Sequence, residues 1–351
     1  MRAALWYGRR DVRIVDIAEP AIAPGKVKIR VVWCGICGTD LHEYAAGPIF
    51  IPVTPHPLTG QQAPVVLGHE FSGDVIEIGA GVTSVEVGDR VCVEPIISCG
   101  RCAACAIGKY NLCRSIAFHG ISSPDGGAFA EITMADERMV HRIPDSMSYE
   151  QAAIVEPAAM VVHAIRSSRF RVGDRVAVFG AGPIGLLIVQ AARASGANGI
   201  FVVETSAVRR EHALRMGASI VIDPTREDSA AVIAEETGGG VEVAFEATGA
   251  KQALSTAIAG TKFGGQVVVV SVWEGDATIQ PNQFVFNEKT MIGILGNCNN
   301  FPETISLISS GVLGVDSMIT RRIGLDDLVS DGFDALLGAT KQHVKILVSP
   351  S

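Results

Sequence analysis

The stretch at residues 175–185, RVAVFGAGPIG, constrains the fold of this chain more than any other. An apolar run leads into a turn with three glycines, and the helix-forming sequence LLIVQAARASGA follows. Apolar strand-type runs then alternate regularly with amphipathic helix-type runs as far as GGQVVVVSV at residues 264–272. Such alternation is typical of a parallel sheet with helices on both faces. The sequence therefore predicts an α/β fold with a doubly wound parallel sheet.

The glycine-rich turn matches the fingerprint of a dinucleotide-binding Rossmann fold. Gly180 permits the tight turn, Gly182 lets the backbone approach a pyrophosphate, and Gly185 lets the helix pack closely on the strand. Pro183 and Ile184 complete the motif, and the N-terminus of the helix favours the phosphate charge. These five positions are predicted to bind a dinucleotide. A doubly wound domain that binds none is the alternative.

An acidic residue follows at the spacing that this fingerprint requires. Glu204 ends the next strand-type run, 19 residues past Gly185. Its carboxylate would accept hydrogen bonds from the adenosine ribose hydroxyls, and its charge would repel a 2′-phosphate. Arg209 and Arg210 work against this preference, because an arginine nearby can accommodate that phosphate. The sequence favours NAD over NADP and adds Arg209 to the predicted cofactor-binding residues.

Length, charge and cysteine usage exclude several classes of protein. The 351 residues exceed one ordinary single-core domain, so two domains are expected. The net charge is −8 and the basic residues form no block, which argues against nucleic acid and an anionic membrane surface as partners. The charged opening MRAALWYGRRDVRIVD does not read as a secretory signal, and the eight cysteines therefore indicate metal ligands and free thiols. We expect a cytoplasmic protein without a membrane span.

The pattern of the chain changes near residue 148. Before this point, short β-type runs such as VKIRVVWCGI and VGDRVCVEP are broken by Gly, Asp and Pro, which predicts a compact, barrel-like β domain. After it, YEQAAIVEPAAMVVHAIRSS is Ala-rich and predicted to be helical. The tail beyond residue 290 is predicted to hold further strands and two helices, around residues 302–310 and 326–338.

Four cysteines lie in the stretch CGRCAACAIGKYNLC, separated by two, two and seven residues. Four thiolates this close can surround a tetrahedral zinc and leave no open position, which makes the predicted site structural. An iron–sulfur cluster is the alternative, although the last spacer is unlike the ferredoxin patterns. The predicted ligands are Cys99, Cys102, Cys105 and Cys113.

A separate cysteine pair opens the stretch CGICGTDLHEY at residues 34–44. Cys34 and Cys37 are compatible with half of a zinc site, with a redox dithiol or with part of an active site. Thr39, Asp40 and His42 follow within five residues of Cys37. The local spacing leaves the three interpretations open.

Together these motifs resemble the zinc-dependent medium-chain dehydrogenase/reductase (alcohol dehydrogenase) family. The resemblance spans nearly the whole chain and rests on CGICGTD, GHEFSG, the four-cysteine stretch, VEP at residues 155–157 and the glycine-rich turn. The chain looks most like the 2,3-butanediol dehydrogenase (acetoin reductase) branch, on GPIFIPVTPHPLTGQQAPVVLGHEFSG and YNLC. Sorbitol and threonine dehydrogenases share most of the motifs. The resemblance implies a GroES-like catalytic domain at residues 1–157, an NAD-binding Rossmann domain at 158–292 and a segment at 293–351 that returns to the catalytic domain.

The resemblance also implies a catalytic zinc. The family pattern places its ligands at Cys37, at His69 and at a third position that a carboxylate would occupy. Glu70 and Glu156 compete for this position, and their spacing does not separate them. We favour Glu156, because related enzymes place a Cys or Glu ligand there, with Glu70 as an alternating or supporting ligand. Cys34 then becomes a packed thiol.

The implied chemistry is hydride transfer. Zinc would acidify a bound alcohol, and the zinc-bound alkoxide would expel a hydride to the nicotinamide. Thr39 and His42 occupy the positions of the family's proton relay, which runs through the nicotinamide ribose. A histidine with an ordinary pKa of about 6.5 can pass the proton to solvent.

The leading hypothesis is an NAD-dependent zinc enzyme that interconverts a vicinal diol and an α-hydroxyketone, such as 2,3-butanediol and acetoin, or acetoin and diacetyl. A sorbitol- or threonine-type dehydrogenase, acting on polyols or amino alcohols, is the alternative within this class. A thiol redox protein that uses Cys34 and Cys37 is the alternative of another class, and it leaves His69 and Glu156 without a role. The expected partners are a small alcohol or ketone and further copies of the chain, in a homodimer or homotetramer.

Overall fold

Strands dominate residues 1–142, and strands alternate with helices from residue 149 onward. The computed structural model describes residues 1–338 and 341–350. The strands in these ranges are β1 (Arg2–Gly8), β2 (Asp11–Asp16), β3 (Lys26–Gly35), β4 (Val65–Val66), β5 (Glu70–Ile78), β6 (Arg90–Val93), β7 (Ile96–Ile97), β8 (Ala117–Phe118), β9 (Ile132–Asp136), β10 (Val140–Arg142), β11 (Arg175–Phe179), β12 (Gly199–Val203), β13 (Ile220–Ile222), β14 (Val241–Glu246), β15 (Thr261–Val269), β16 (Thr290–Gly293), β17 (Ile319–Gly324) and β18 (Lys345–Ser349). The helices are α1 (Gly38–Ala46), α2 (Ala103–Ala106), α3 (Tyr149–Ala153), α4 (Val155–Ser167), α5 (Pro183–Ala194), α6 (Ala207–Arg215), α7 (Ser229–Thr237), α8 (Lys251–Gly260), α9 (Asn282–Val285), α10 (Phe301–Ser309) and α11 (Asp334–Leu337).

Within the described residues, six strands form a parallel sheet in the order β13-β12-β11-β14-β15-β16. Val176 and Val178 of β11 pack in the apolar cluster that contains α5, whereas Ala177 and Phe179 pack in the cluster that contains α7 and α8. Burial on both faces explains why these strands are continuous apolar runs rather than alternating ones. The strand order reverses between β11 and β14, and doubly wound sheets bind ligands in the crevice at that point.

The first part of the chain folds into antiparallel sheets, and later strands complete the largest of them. That sheet has the order β10-β6-β5-β3-β18-β17, and β9 also pairs with β3. β18 lies antiparallel to β3, with Leu347 opposite Gly35 and Val348 opposite Cys34. Strands β17 and β18 therefore lie in the same sheet as the N-terminal strands, while β2-β1-β4 and β7-β8 form smaller sheets.

The Ala-rich stretch after residue 148 forms two helices rather than one, because the chain breaks between α3 and α4 at Ile154. Pro157 explains the break, since it has no N–H to donate to the carbonyl of Ala153 one turn earlier. Proline is tolerated only in the first turn of a helix, so α4 has to begin close to it. The break places Glu156 in the first turn of α4.

Only one of the two helices predicted beyond residue 290 is a regular α-helix. The first is α10, but the second consists of a 3₁₀ turn, a π-helical segment (Leu328–Phe333) and the short α11. Close packing accounts for the irregular path, because a Cβ at Gly332 would lie 2.7 Å from Cδ1 of Ile36. The prediction of a regular second helix was wrong. Among the helices of residues 1–338 and 341–350, none has the length and apolar character needed to cross a membrane.

Candidate active site

The pairing of β3 with β5 brings the first candidate metal ligands together. Gly35 ends β3 and lies opposite Glu70, which begins β5 in the antiparallel register. Cys37 follows β3 and is the N-cap residue of α1, and His69 immediately precedes β5. The ligand atoms of Cys37, His69 and Glu70 lie within 4.8 Å of one another. A thiol, an imidazole and a carboxylate at this separation are a donor set that suits zinc.

A buried aspartate supports two of these candidate ligands. Asp40 Oδ2 accepts a hydrogen bond of 2.9 Å from the backbone N–H of Cys37. Asp40 Oδ1 lies 3.7 Å from His69 Nδ1, and both atoms are buried without a hydrogen-bond partner in the described part of the chain. A carboxylate beside one ring nitrogen orients a metal-binding histidine and leaves its other nitrogen for the metal. Asp40 is placed to orient His69 in this way.

The second candidate carboxylate lies close to this group but outside it. Glu156, in the first turn of α4, is half-buried. Burial raises the pKa of its carboxyl to about 7, while the charge of His69 lowers this pKa and that of Glu70 raises it. The 4.8 Å group, as far as the structure describes the chain, does not include Glu156. Its role as the third ligand therefore stays a prediction.

A buried lysine that the sequence analysis missed reaches the same group. Lys345 begins β18 and is 1 % exposed, and its Nζ donates to Glu70 Oε2 at 2.6 Å and to the Ile36 carbonyl at 2.9 Å. Burial alone would lower the pKa of Lys345, but the charges of Glu70 and Cys37 raise it above its usual value. The pair joins residues 275 positions apart, so no local motif reveals it. The available signal is a charged residue at the head of the apolar run KILV.

The predicted relay residues lie on α1, directly beyond Cys37. Thr39 Oγ1 lies 3.7 Å from Cys37 Sγ, which places this hydroxyl beside the candidate metal ligands. His42 is one helical turn further along and is exposed enough to meet solvent. Its Nδ1 lies 2.6 Å from Oε1 of Glu274, a residue that the sequence analysis did not connect with the site. Glu274 is well exposed and follows β15 of the parallel sheet.

Cys34 differs from Cys37 in its surroundings. It is fully buried in β3, and burial raises the pKa of its thiol well above the usual value. A redox dithiol needs an accessible thiolate of low pKa. The buried position of Cys34 therefore argues against the thiol redox interpretation.

The four-cysteine stretch forms a compact lobe between β7 and β8. The Sγ atoms of Cys99, Cys102, Cys105 and Cys113 lie within 4.8 Å of one another. Cys102 is the N-cap residue of α2, Cys113 ends a 3₁₀ turn, and Cys113 Sγ accepts a hydrogen bond of 3.3 Å from the backbone N–H of Cys99. Four thiols gathered by such short turns are the donor set of a closed structural zinc site.

The glycine-rich turn joins β11 to α5 at the crevice of the parallel sheet. Gly180 has φ +97°, a conformation that favours glycine, and a Cβ at Gly185 would lie 1.9 Å from the Gly180 carbonyl oxygen. A Cβ added at Gly182 would have no other atom within 4 Å, so the absence of a side chain here leaves open space above the turn. Pro183 occupies the first position of α5, where proline suits a helix, and Ile184 follows it. A pyrophosphate fits this arrangement, because the backbone and the helix N-terminus are both accessible to it.

Glu204 and the two arginines flank the turn in different ways. Glu204 Oε2 accepts a hydrogen bond of 2.8 Å from Ala181 N, so this carboxylate also holds the turn in place. Arg210 donates to the carbonyl of Glu204 and pairs with Asp223 at 3.0 Å, so its guanidinium group is occupied by contacts within the protein. Arg209 Nε is buried without a hydrogen-bond partner in the described ranges. Arg209 is therefore the arginine with donors to spare for a ligand.

Two protein-family models match the chain. The alcohol dehydrogenase GroES-like domain matches residues 23–145, and the zinc-binding dehydrogenase model matches residues 183–310. The first match covers most of the antiparallel strands, and the second covers most of the parallel sheet. These matches confirm the predicted fold class, a GroES-like β domain with a Rossmann-type parallel sheet.

Characterised relatives match over the full length. (R,R)-butanediol dehydrogenase of Bacillus subtilis (strain 168) is 50 % identical over 353 aligned residues, which cover 100 % of both chains. Sorbitol dehydrogenase of the same organism is 34 % identical over 100 % of this chain and 98 % of its own length. The crystal structure of 2R,3R-butanediol dehydrogenase from Bacillus subtilis matches with a TM-score of 0.94 and 49 % identity, covering 100 % of this chain and 99 % of that chain.

Two alanine substitutions separate folding from cofactor binding in the turn. Gly185→Ala should reduce the free energy of unfolding by about 1–3 kcal/mol, because its Cβ overlaps a backbone carbonyl. Gly182→Ala is the matched variant, and it should leave stability unchanged but weaken NADH binding, since its Cβ enters the open space above the turn. Urea unfolding and NADH fluorescence titration measure the two effects. An unchanged NADH affinity in Gly182→Ala would contradict the predicted pyrophosphate position.

Proposed function

The chain belongs to the family of zinc-binding alcohol dehydrogenases with a GroES-like domain, and we propose that it interconverts a vicinal diol and an α-hydroxyketone with NAD. The observation that carries the proposal is the full-length similarity to (R,R)-butanediol dehydrogenase, which exceeds the similarity to sorbitol dehydrogenase. 2,3-Butanediol and acetoin are therefore the proposed substrate pair. The polyol alternative has the weaker similarity in its favour, 34 % identity to sorbitol dehydrogenase against 50 % to (R,R)-butanediol dehydrogenase.

Two metal sites are part of this proposal. Cys37, His69 and one carboxylate, Glu156 or Glu70, would hold the catalytic zinc, and the four lobe cysteines would hold a structural zinc. When bound, zinc supplies a Lewis acid that lowers the pKa of the substrate hydroxyl, and NAD accepts the hydride. The close grouping of Cys37, His69 and Glu70 supports the first site, and that of the four cysteines supports the second.

The residues of the chain would position the substrate and move its proton. Thr39 would accept the hydrogen bond of the substrate hydroxyl, because its own hydroxyl lies beside Cys37. His42 would then receive the proton near the surface and release it to solvent. The contact with Glu274 supports this role, since a carboxylate 2.6 Å from Nδ1 fixes the orientation of the ring.

The nucleotide would lie along the crevice of the parallel sheet. Gly180, Gly182 and Gly185, with Pro183 and Ile184, would form the pyrophosphate site. Glu204 would bind the adenosine ribose, and Arg209 would use its spare donors on the cofactor. The carboxylate of Glu204 supports NAD rather than NADP, because a 2′-phosphate would meet its negative charge.

The domain boundaries at residues 157 and 292 belong to the proposal as well. The antiparallel strands before residue 157 and the parallel strands at residues 175–293 support the first boundary. The pairing of β18 with β3 supports the return of residues 293–351 to the catalytic domain. The cytoplasmic location also stays a prediction, and the free state of all eight cysteines is compatible with it.

We propose that the chain forms homo-oligomers through β16. This strand is an edge of the parallel sheet, and its outer side has no strand partner in the described ranges. Large apolar side chains are exposed on or near it: Val285, Phe286, Met291 and Leu295. An unpaired edge with exposed apolar groups favours pairing with a second copy.

Metal content and activity together test the proposed enzyme. The wild-type protein should contain two zinc ions per chain and form NADH with 2,3-butanediol, and Cys37→Ala should lose one zinc and the activity. Cys105→Ser should lose the other zinc and unfold at lower temperature, whereas Cys298→Ser, outside both groups, should keep both ions. Elemental analysis and NADH absorbance give the readouts, with sorbitol and threonine as comparison substrates. A zinc-free protein with full activity would overturn the proposal.

Removing the relay histidine should change the pH profile of the reaction. His42→Ala should lower kcat/KM for diol oxidation about 100-fold near pH 7, and less at high pH, where hydroxide can take the proton. Glu274→Gln should lower kcat/KM by a smaller amount, because it weakens the contact that orients the ring but leaves the imidazole in place. His212→Ala, on the partly exposed helix α6, is the control. An equal loss at every pH would indicate that His42 has a structural role instead.

A positive charge introduced on the edge strand β16 should dissociate the proposed oligomer. Met291→Lys places a cation among exposed apolar side chains, so the mass measured by light scattering should fall toward that of one chain. Val172→Lys, at an 83 % exposed position elsewhere, is the matched control and should leave the mass unchanged. A wild-type monomer, or an unchanged mass in Met291→Lys, would refute the β16 interface.

A further inference from the structure

The ion pair between Lys345 and Glu70 is the most buried one in the described part of the chain. Their side chains are 2 % and 1 % exposed, and the Nζ–Oε2 distance is 2.6 Å. A buried lysine remains charged only where an opposite charge compensates for the loss of water. Glu70 is that opposite charge, and its carboxylate also lies within 4.8 Å of the candidate ligand atoms of Cys37 and His69.

The surrounding strands are built to hold Glu70 in this pair. A Cβ at Gly35 would lie 2.3 Å from Glu70 Oε2, so the oxygen that faces Lys345 occupies space that only a glycine leaves free. Gly35 is opposite Glu70 on one side of β3 and opposite Leu347 of β18 on the other side. Three neighbouring strands therefore fix the glycine, the carboxylate and the lysine in one place.

The pair gives the two carboxylates unequal access to a metal. One oxygen of Glu70 is occupied by an ammonium group, which also withdraws negative charge from the other oxygen. Glu156 has no described hydrogen bond or ion pair with a cation, although Lys345 contributes to the charge around it. Because cations repel one another, the ammonium group of Lys345 also opposes the approach of a metal ion to Glu70.

We propose that Lys345 is a positioning residue that withholds Glu70 from the metal and leaves the third protein position to Glu156. This inference rests on the proposed function, because it takes the group around Cys37 to be a zinc site. Without Lys345, the buried charge of Glu70 would lack a partner, and the metal would be the nearest cation. Glu70 would then replace Glu156 or join it as a ligand.

The test is whether the carboxylate that matters for zinc changes when Lys345 is removed. In the wild-type background, Glu156→Gln should weaken zinc binding by about 100-fold and Glu70→Gln by about 10-fold or less. The order of these two losses of zinc affinity should reverse in the Lys345→Met background, where Glu70→Gln should cause the larger loss. Competition with a chromophoric chelator measures the affinities. The d–d spectrum of the cobalt-substituted protein, after subtraction of the Cys37→Ala spectrum, reports the change of ligand.

Two further variants control for charge and burial. Lys345→Arg keeps the cation and should preserve the wild-type order. Lys28→Met removes another lysine with a buried side chain, one that pairs with Glu19 and Glu77 on the antiparallel sheet, and it should also preserve the order. An unchanged order in Lys345→Met, or a larger effect of Glu70→Gln in the wild-type background, would overturn the proposal.

A second route is needed if Lys345→Met does not fold, which far-UV circular dichroism reveals. Gly35→Ala leaves the lysine in place but displaces the Glu70 oxygen from it. In this background too, Glu70→Gln should reduce zinc affinity more than Glu156→Gln does. The same unchanged order would count against the proposal. If Cys37→Ala keeps both zinc ions, the proposed metal site itself fails. If Cys37→Ala loses one zinc but Glu156→Gln still causes the larger loss of zinc affinity without Lys345, only the role of Lys345 fails.

Discussion

The antiparallel register between β3 and β5 is the constraint on which the candidate site depends. It sets Gly35 opposite Glu70 and so brings Cys37, just beyond β3, next to His69, just before β5. A slip of one residue would turn Glu70 to the other face of the sheet and separate the group. The same register leaves room for the Glu70 carboxylate, because the residue opposite it has no side chain. One strand pairing therefore decides both which side chains meet and how they are charged.

The site combines elements with separate structural origins. α1 supplies Cys37, Thr39 and His42 on one continuous helix start, so the metal ligand and the relay move as a unit. The break before α4 brings Glu156 to the first turn of that helix, and β18, which pairs with β3, brings Lys345 from the far end of the chain. The nucleotide turn lies on a different sheet. The contact between His42 and Glu274 connects that second part of the molecule with the first.

The sequence predicts well those features that depend on neighbours in the chain. The glycine-rich turn, the alternation of strands and helices and the four-cysteine lobe each follow from spacing within a few residues. The pair of Lys345 with Glu70 and the contact of His42 with Glu274 depend on strands and loops more than 200 positions apart, which no spacing rule describes. The irregular path before α11 has the same cause, since it depends on the position of Ile36 against Gly332.

The distance in sequence between Glu70 and Lys345 has a consequence for biosynthesis. At 5–20 residues per second, the 275 residues that follow Glu70 up to and including Lys345 take roughly 14 to 55 s to synthesise. At the start of this interval the nascent chain contains Cys37, His69 and Glu70. Glu156 follows 86 residues later, and the lysine that distinguishes the two carboxylates comes last. An ion that reaches the growing chain early meets a different set of donors from an ion that reaches the finished one. The order of translation thus separates the assembly of the ligands from the choice between them.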